Sequence, residues 1–121
     1  MNKKKKNYYE TVIIFTPVLS DEQIKISYND YKKFFLKKKI KILKIKELGM
    51  KKLAYEIKKK KNGFFYLFIY KSYPNLIKEI NDKILQDERI IRFLIIKMNK
   101  YAIKYYKYNN KLNNEKKNKN I

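Results

Sequence analysis

Lys58-Lys59-Lys60-Lys61-Asn62-Gly63-Phe64-Phe65-Tyr66-Leu67-Phe68-Ile69-Tyr70-Lys71 is the stretch on which the fold turns. Its lysines and Asn62-Gly63 read as a turn, and the aromatic and β-branched run behind them reads as a strand. Phe64, Tyr66, Phe68 and Tyr70 share one strand face, while Phe65, Leu67 and Ile69 share the other. A strand apolar on both faces belongs well inside a sheet. In front of the turn, Ile40, Ile42, Ile45, Leu48, Leu53, Tyr55 and Ile57 alternate imperfectly with lysines. The two runs therefore form a long hairpin whose first arm is an edge strand, its lysines discouraging unwanted pairing. Gly49 falls mid-run, where a β-bulge or sharp coil would absorb the slip in alternation.

Working outward, Ser20-Asp21-Glu22-Gln23 is a helix start, with Ser20 as N-cap and Gln23 closing a capping box. Ile24, Tyr28, Tyr31 and Phe35 follow at helical spacing and carry the helix to about Lys38. Before it, Tyr8 to Thr16 reads as a central strand that stops at Pro17. Beyond the hairpin, Pro74 suits the first turn of a second helix, with Leu76/Ile77, Ile80 and Ile84 as its buried stripe and an end near Gln86. Ile90 to Lys97 is the last strand. The order strand-helix-strand-strand-helix-strand predicts an α+β, ferredoxin-like β-α-β-β-α-β domain over residues 8–99. Its four-stranded antiparallel sheet has both helices on one face, and the second face is left open or covered by a partner. Residues 1–7 read as a basic tail, and residues 100–121, dominated by Lys, Asn and Tyr, as a tail disordered until bound.

A chain of 121 residues suffices for one domain with a modest core. With no cysteine and no histidine, disulfides, thiolate metal sites and the commonest general base are gone. Enzymatic function is thereby disfavoured, and no cofactor is expected. The phosphate-cradling loop of the acylphosphatases, which share the expected fold, has no counterpart after Phe15. A formal charge of +21 calls for an anionic partner, usually nucleic acid. Part of that excess reflects composition, because a chain rich in Lys, Asn, Ile and Tyr but poor in Gly, Pro and Arg fits a bias towards AT-rich codons. No apolar run approaches the roughly 18 residues of a membrane span, and Met1–Asn7 precedes no long apolar segment. The expectation is a cytosolic-type protein with neither a membrane nor a small-molecule substrate as partner.

The segment Leu48-Gly49-Met50-Lys51-Lys52-Leu53-Ala54-Tyr55-Glu56-Ile57-Lys58 resembles the signature of the bacterial small-subunit ribosomal protein S6 family. There a Gly, two basic residues, Leu, Ala or Ser, Tyr, one variable residue and Ile follow in order on the second strand. Tyr9-Glu10, Asn62-Gly63-Phe64-Phe65 and Asp87-Glu88-Arg89-Ile90-Ile91-Arg92-Phe93 match where that family opens its first, third and fourth strands. The resemblance spans Tyr8 to about Lys100. Lys52 departs from it, since an Arg or other polar residue is more usual there. The lysine-rich tail also departs, since some relatives end in acidic residues, so no tail modification carries over. The resemblance implies a structural, non-catalytic role in the ribosome: binding the central domain of small-subunit ribosomal RNA together with ribosomal protein S18. A bacterial cytoplasmic ribosome is implied, an organellar one being equally compatible with the residues.

The candidate RNA contacts are Lys6, Tyr9, Lys51, Lys52, Arg89, Arg92 and Lys97. Lysines on the outer arm of the hairpin are either solvated edge residues or phosphate contacts. Arg89 and Arg92 are the only arginines among 32 basic residues and stand three apart at a strand start. Guanidinium grips phosphate or a base edge in a way lysine cannot, and the plainer alternative is an ion pair with Asp87 or Glu88. Tyr101, Tyr105, Tyr106 and Tyr108 interleave with lysines, as an RNA-following segment or as codon-biased filler. Asn62-Gly63-Phe64-Phe65-Tyr66-Leu67 is partly similar to the Gly-aromatic signature of the RNA-recognition motif, which makes a free single-strand-binding module, stacking bases on Tyr66-type aromatics, the alternative function. Asn62, Phe65 and Ile69 depart from that signature.

Overall fold

The computed structural model describes residues 5–119, with side chains through residue 109. Strand β1 (Asn7–Phe15) leads through Ser20 into helix α1 (Asp21–Lys37); β2 (Lys41–Ile57) and β3 (Lys60–Ser72) form the long hairpin. Helix α2 (Pro74–Leu85), strand β4 (Ile90–Lys97) and helix α3 (Lys100–Lys119) follow. The sheet order is β2-β3-β1-β4, every pair antiparallel, as the ferredoxin-like arrangement requires. The α1 capping box forms as read: Ser20 Oγ accepts from Gln23 N, and Gln23 Oε1 accepts from Ser20 N at 2.8 Å. Pro74 occupies the first turn of α2, where its missing N–H is harmless.

The period-2 pattern of β3 decides which side is core. Tyr66, Phe68 and Tyr70 face α1 and α2 and pack with Ile13, Phe15, Ile24, Tyr31, Phe35, Ile80 and Ile84. Aromatic rings interlock there, as where Phe35 meets Phe68 edge-on at 5.6 Å and Tyr9 stacks on Tyr70 at 5.8 Å. The other parity, Val12, Ile14 and Phe65, lies on the opposite face. The end of the hairpin folds over that face, so Leu53 packs against Ile14 and Ile91 in a small second cluster.

Two features differ from the sequence reading. The hairpin reverses at Lys58-Lys59, both at positive φ (49° and 63°), while Asn62 and Gly63 lie inside β3, opposite Lys52 and Lys51. Gly63 is needed for closeness, since a Cβ there would collide with Ile14 Cγ2 and sit 3.3 Å from the Phe15 carbonyl oxygen. Gly49, by contrast, does interrupt the ladder as expected: φ is +80° and the register shifts between Glu47 and Gly49.

The second difference is the segment from Lys100, which composition reads as a disordered tail and which here forms α3. Asn99 Oδ1 caps it by accepting from Ala102 N at 2.8 Å, and neither Gly nor Pro interrupts residues 100–119. Ala102 and Tyr106 turn inward beside Leu67, Ile69 and Met98, so α3 covers part of the face opposite α1 and α2. Of the basic tail over residues 1–7, residues 1–4 lie outside the described residues, and Lys5 and Lys6 are exposed ahead of β1.

Candidate nucleic-acid interface

The part of the open face that α3 leaves uncovered is a groove of about 440 Å³, floored by Val12, Ile14, Leu53 and Phe65. Lys52 and Arg92 stand on its rim. Arg92 reaches it because β4 pairs Arg92 with Ile14, on the face away from α1 and α2. Its guanidinium lies over the Tyr55 ring, 5.6 Å from the centroid, and donates a short hydrogen bond to Tyr55 Oη. The stack fixes a planar cation at the surface with N–H groups left to donate. Lys51 is exposed beside Lys52, and Lys58, at the hairpin turn, flanks Arg92 from a neighbouring depression that Glu88 also lines.

Arg89 belongs to a different construction. Its Nε and Nη2 donate to the two oxygens of Asp87 at 2.9 and 2.7 Å, and its Nη1 donates to Asp30 at 2.9 Å. Asp87 also accepts from the Arg89 backbone N–H at 3.0 Å and from Tyr31 Oη at 2.8 Å. Burial pushes the Asp87 carboxyl up, but these donors, Arg89 first, outweigh it and hold the group below the usual carboxylate range. The Tyr31 phenol is raised by burial and then by the same carboxylate. Of the two readings of Arg89, the ion pair is the one the structure contains. The guanidinium clamps α1 to the turn before β4, with its side chain 30% exposed.

The remaining candidates are scattered. Tyr9 is buried, its ring against Tyr70, and is a core residue with no surface to offer. Lys6 and Lys97 are exposed at the opposite end of the sheet, where β1 begins, and Lys6 lies 5.2 Å from the Tyr73 ring centroid. Lys97 pairs with Tyr9 and Arg92 with Ile14, so five residues of β1, about 17 Å, separate the two ends. Lys52 and Arg92 thus come together on one groove, Lys51 is exposed next to Lys52 in β2, and Lys6 and Lys97 do not join them. Tyr55, the platform under Arg92, carries no mark of a site residue within the Leu48–Lys58 segment. Its partner is 37 residues away, so no local pattern reveals the pairing. The stacking mode through Tyr66 has no accessible ring: Tyr66, Phe68 and Tyr70 are 6%, 0% and 0% exposed. Among the described residues no three acidic side chains gather as metal ligands, and no helix is long and apolar enough to cross a membrane.

These features define a class: a small, strongly basic protein of the ferredoxin-like fold whose polar groups serve its surface and its clamps. A family model described as "Ribosomal protein S6" matches residues 8–97. The chain is 41% identical over 110 residues to the small ribosomal subunit protein bS6 of Christiangramia forsetii, covering 91% of this chain and 98% of that one. It is 44% identical over 99 residues to the bS6 protein of Phocaeicola vulgatus, covering 82% and 87%. The crystal structure of 30S ribosomal protein S6 from Thermotoga maritima superposes with a TM-score of 0.78 at 26% identity, covering 87% of this chain and 99% of that one. This chain belongs to the ribosomal protein S6 family, whose members are small-subunit ribosomal proteins and not enzymes.

Proposed function

We propose that the chain is a structural constituent of the bacterial small ribosomal subunit in the cytoplasm. In this reading it binds the central domain of small-subunit ribosomal RNA together with ribosomal protein S18, by charge and shape and without turnover. The supporting observation is the rim of the open-face groove, where Lys52 and Tyr55 of the segment that carries the family signature meet a Tyr55-stacked Arg92, with Lys51 exposed next to Lys52 in the chain. Lysines there supply sequence-independent phosphate contacts, and the fixed guanidinium supplies a directional one. The apolar floor between them suits a protein partner better than it suits RNA, which is why a joint site with S18 fits.

The test is binding to a central-domain RNA fragment in the presence of S18, measured across a salt series. Lys51→Gln, Lys52→Gln and Arg92→Gln should each weaken binding and flatten the dependence of log K on log salt by roughly 0.7–0.9 per contact removed. Arg89→Gln should lower thermal stability and leave that slope unchanged, because Arg89 is committed to Asp87 and Asp30. Loss of no affinity in the three surface variants, or release of the protein from small subunits by a high-salt wash, would sink the reading.

A further inference from the structure

Helix α3 has an inner side on the sheet, bordered by Tyr105 and by Lys107, whose Nζ lies 5.4 Å from the Tyr8 ring centroid, and an outer side turned to solvent. The outer side carries Tyr101, Tyr105 and Tyr108, which are 71%, 67% and 60% exposed. Steps of four and three residues keep them in one row, the rings succeeding each other by about 6 Å and about 4.5 Å along the axis. Lys100, Lys104 and Lys107 repeat the same steps one residue earlier; Lys100 Nζ lies 5.2 Å from the Tyr101 ring centroid, Lys104 follows beside the rings, and Lys107 ends the row against Tyr8. No acidic residue occurs between Met98 and Asn109. Codon bias can raise the number of tyrosines, but it does not sort them by helical phase. Tyr106, the tyrosine out of phase, is the half-buried one against the sheet, while Tyr105 borders the same depression with most of its ring exposed. A single exposed aromatic needs no explanation, whereas an ordered row of three beside a row of cations does.

We propose that the outer face of α3 binds an unpaired RNA strand, its bases stacking on Tyr101, Tyr105 and Tyr108 and its phosphates meeting Lys100 and Lys104. This is a second RNA surface, distinct from the Lys52–Arg92 groove. It rests on the functional reading above only in taking RNA as the anion the protein meets. The ring intervals exceed the roughly 3.4 Å step of a stacked strand, so the face fits splayed bases and not an intact duplex. A membrane surface fits less well, because the row holds hydroxyl-bearing rings and lacks the Leu, Phe or Trp side chains of an interfacial helix.

The experiment uses the full chain and a labelled, unstructured RNA of about twelve nucleotides, within the site sizes such surfaces occupy, followed by fluorescence anisotropy. Replacing all three rings, Tyr101→Ala, Tyr105→Ala and Tyr108→Ala, leaves every charge in place and favours helix. It should weaken strand binding by at least roughly tenfold, while the corresponding Tyr→Phe variant binds like the parent, because stacking needs the ring and not the hydroxyl. A blunt RNA duplex should bind the parent and the Ala variant alike. Equal strand affinity for parent and Ala variant would overturn the proposal, leaving charge alone. So would a matching loss of binding to vesicles rich in acidic phospholipid, which would make α3 a membrane-surface helix. In the central-domain assay with S18, the Ala variant should assemble like the parent. A parent chain that binds the strand through its tyrosines yet fails to assemble there would refute the earlier reading and leave this one standing.

Discussion

Asp87 shows how one side chain can be read two ways until its partners are known. From sequence it is an acid next to two arginines, available to screen them or to pair with them. In the fold it accepts from Arg89 through side chain and backbone and from Tyr31, and is little exposed itself at 11%. Because the native partners lower its proton affinity, the folded chain binds fewer protons here than the unfolded chain does. The stability this carboxylate contributes is therefore complete above the ordinary Asp value of about 4 and is lost as pH falls through its lower folded value. Asp87→Asn should destabilise the domain by about 1–3 kcal/mol near neutral pH, the range for a charged hydrogen-bonding group whose partners stay behind. Its melting temperature should also depend less steeply on pH below about 4 than that of the parent. Parallel acid-dependent melting curves for the two proteins would show that Asp87 is not the group being titrated.

At the level of elements, most of the fold was legible because local chemistry and tertiary demand agree. Ser20 and Gln23 cap α1 through bonds that span only three residues, Pro74 starts α2, and β4 spans the expected Ile90–Lys97. What stayed hidden depended on remote partners. The Arg92–Tyr55 stack joins two strands that are not neighbours in the sheet, and Tyr9 looks like a surface aromatic until β3 places Tyr70 beside it. Composition could not reveal α3 either, since its inward residues are few and its seat on Leu67 and Ile69 exists only once the sheet is built. The hairpin misled most instructively. Asn62-Gly63 is a strong turn signal, yet Lys58-Lys59 adopts the left-handed turn and Gly63 serves packing. The two glycines should accordingly fail in different ways. Gly63→Ala forces a methyl against Ile14, a buried β-branched side chain stiff at χ1, and should cost about 1–3 kcal/mol. Gly49→Ala meets no atom within 4 Å and suffers only its φ of +80°, at about 1 kcal/mol. Asn, which tolerates that conformation, should recover part of the loss at position 49 and worsen it at position 63. Chemical denaturation of the four variants measures all of this, and equal responses to Asn at both sites would contradict the assignment.

For the molecule as a whole, charge works against the fold that carries it. A net +21 on so small a body repels itself, and the ion pairs formed by described residues, Lys38–Glu79 and those of Arg89 with Asp30 and Asp87, offset little. The more exposed pairs, Lys38–Glu79 and Arg89–Asp30, are worth about 0–1 kcal/mol each and are screened by the same salt that screens repulsion, while the less exposed Arg89–Asp87 pair acts at one turn only. The sign of the salt effect on stability thus depends on which interaction dominates. With three pairs against a cationic excess spread over the whole surface, repulsion should win. Raising the ionic strength from about 0.01 M to about 0.15 M shortens the screening length from roughly 30 Å to roughly 8 Å, less than the span of the sheet. The melting temperature of the free protein should therefore rise with salt over this interval. Bound RNA should reverse the trend, because a polyanion stabilises the folded chain by mass action at low salt and is released as salt increases. Calorimetry of the free protein and of its RNA complex across the same salt series separates the two slopes. A free-protein melting temperature that falls with added salt would mean that local ion pairs, not global repulsion, govern the electrostatics of this domain.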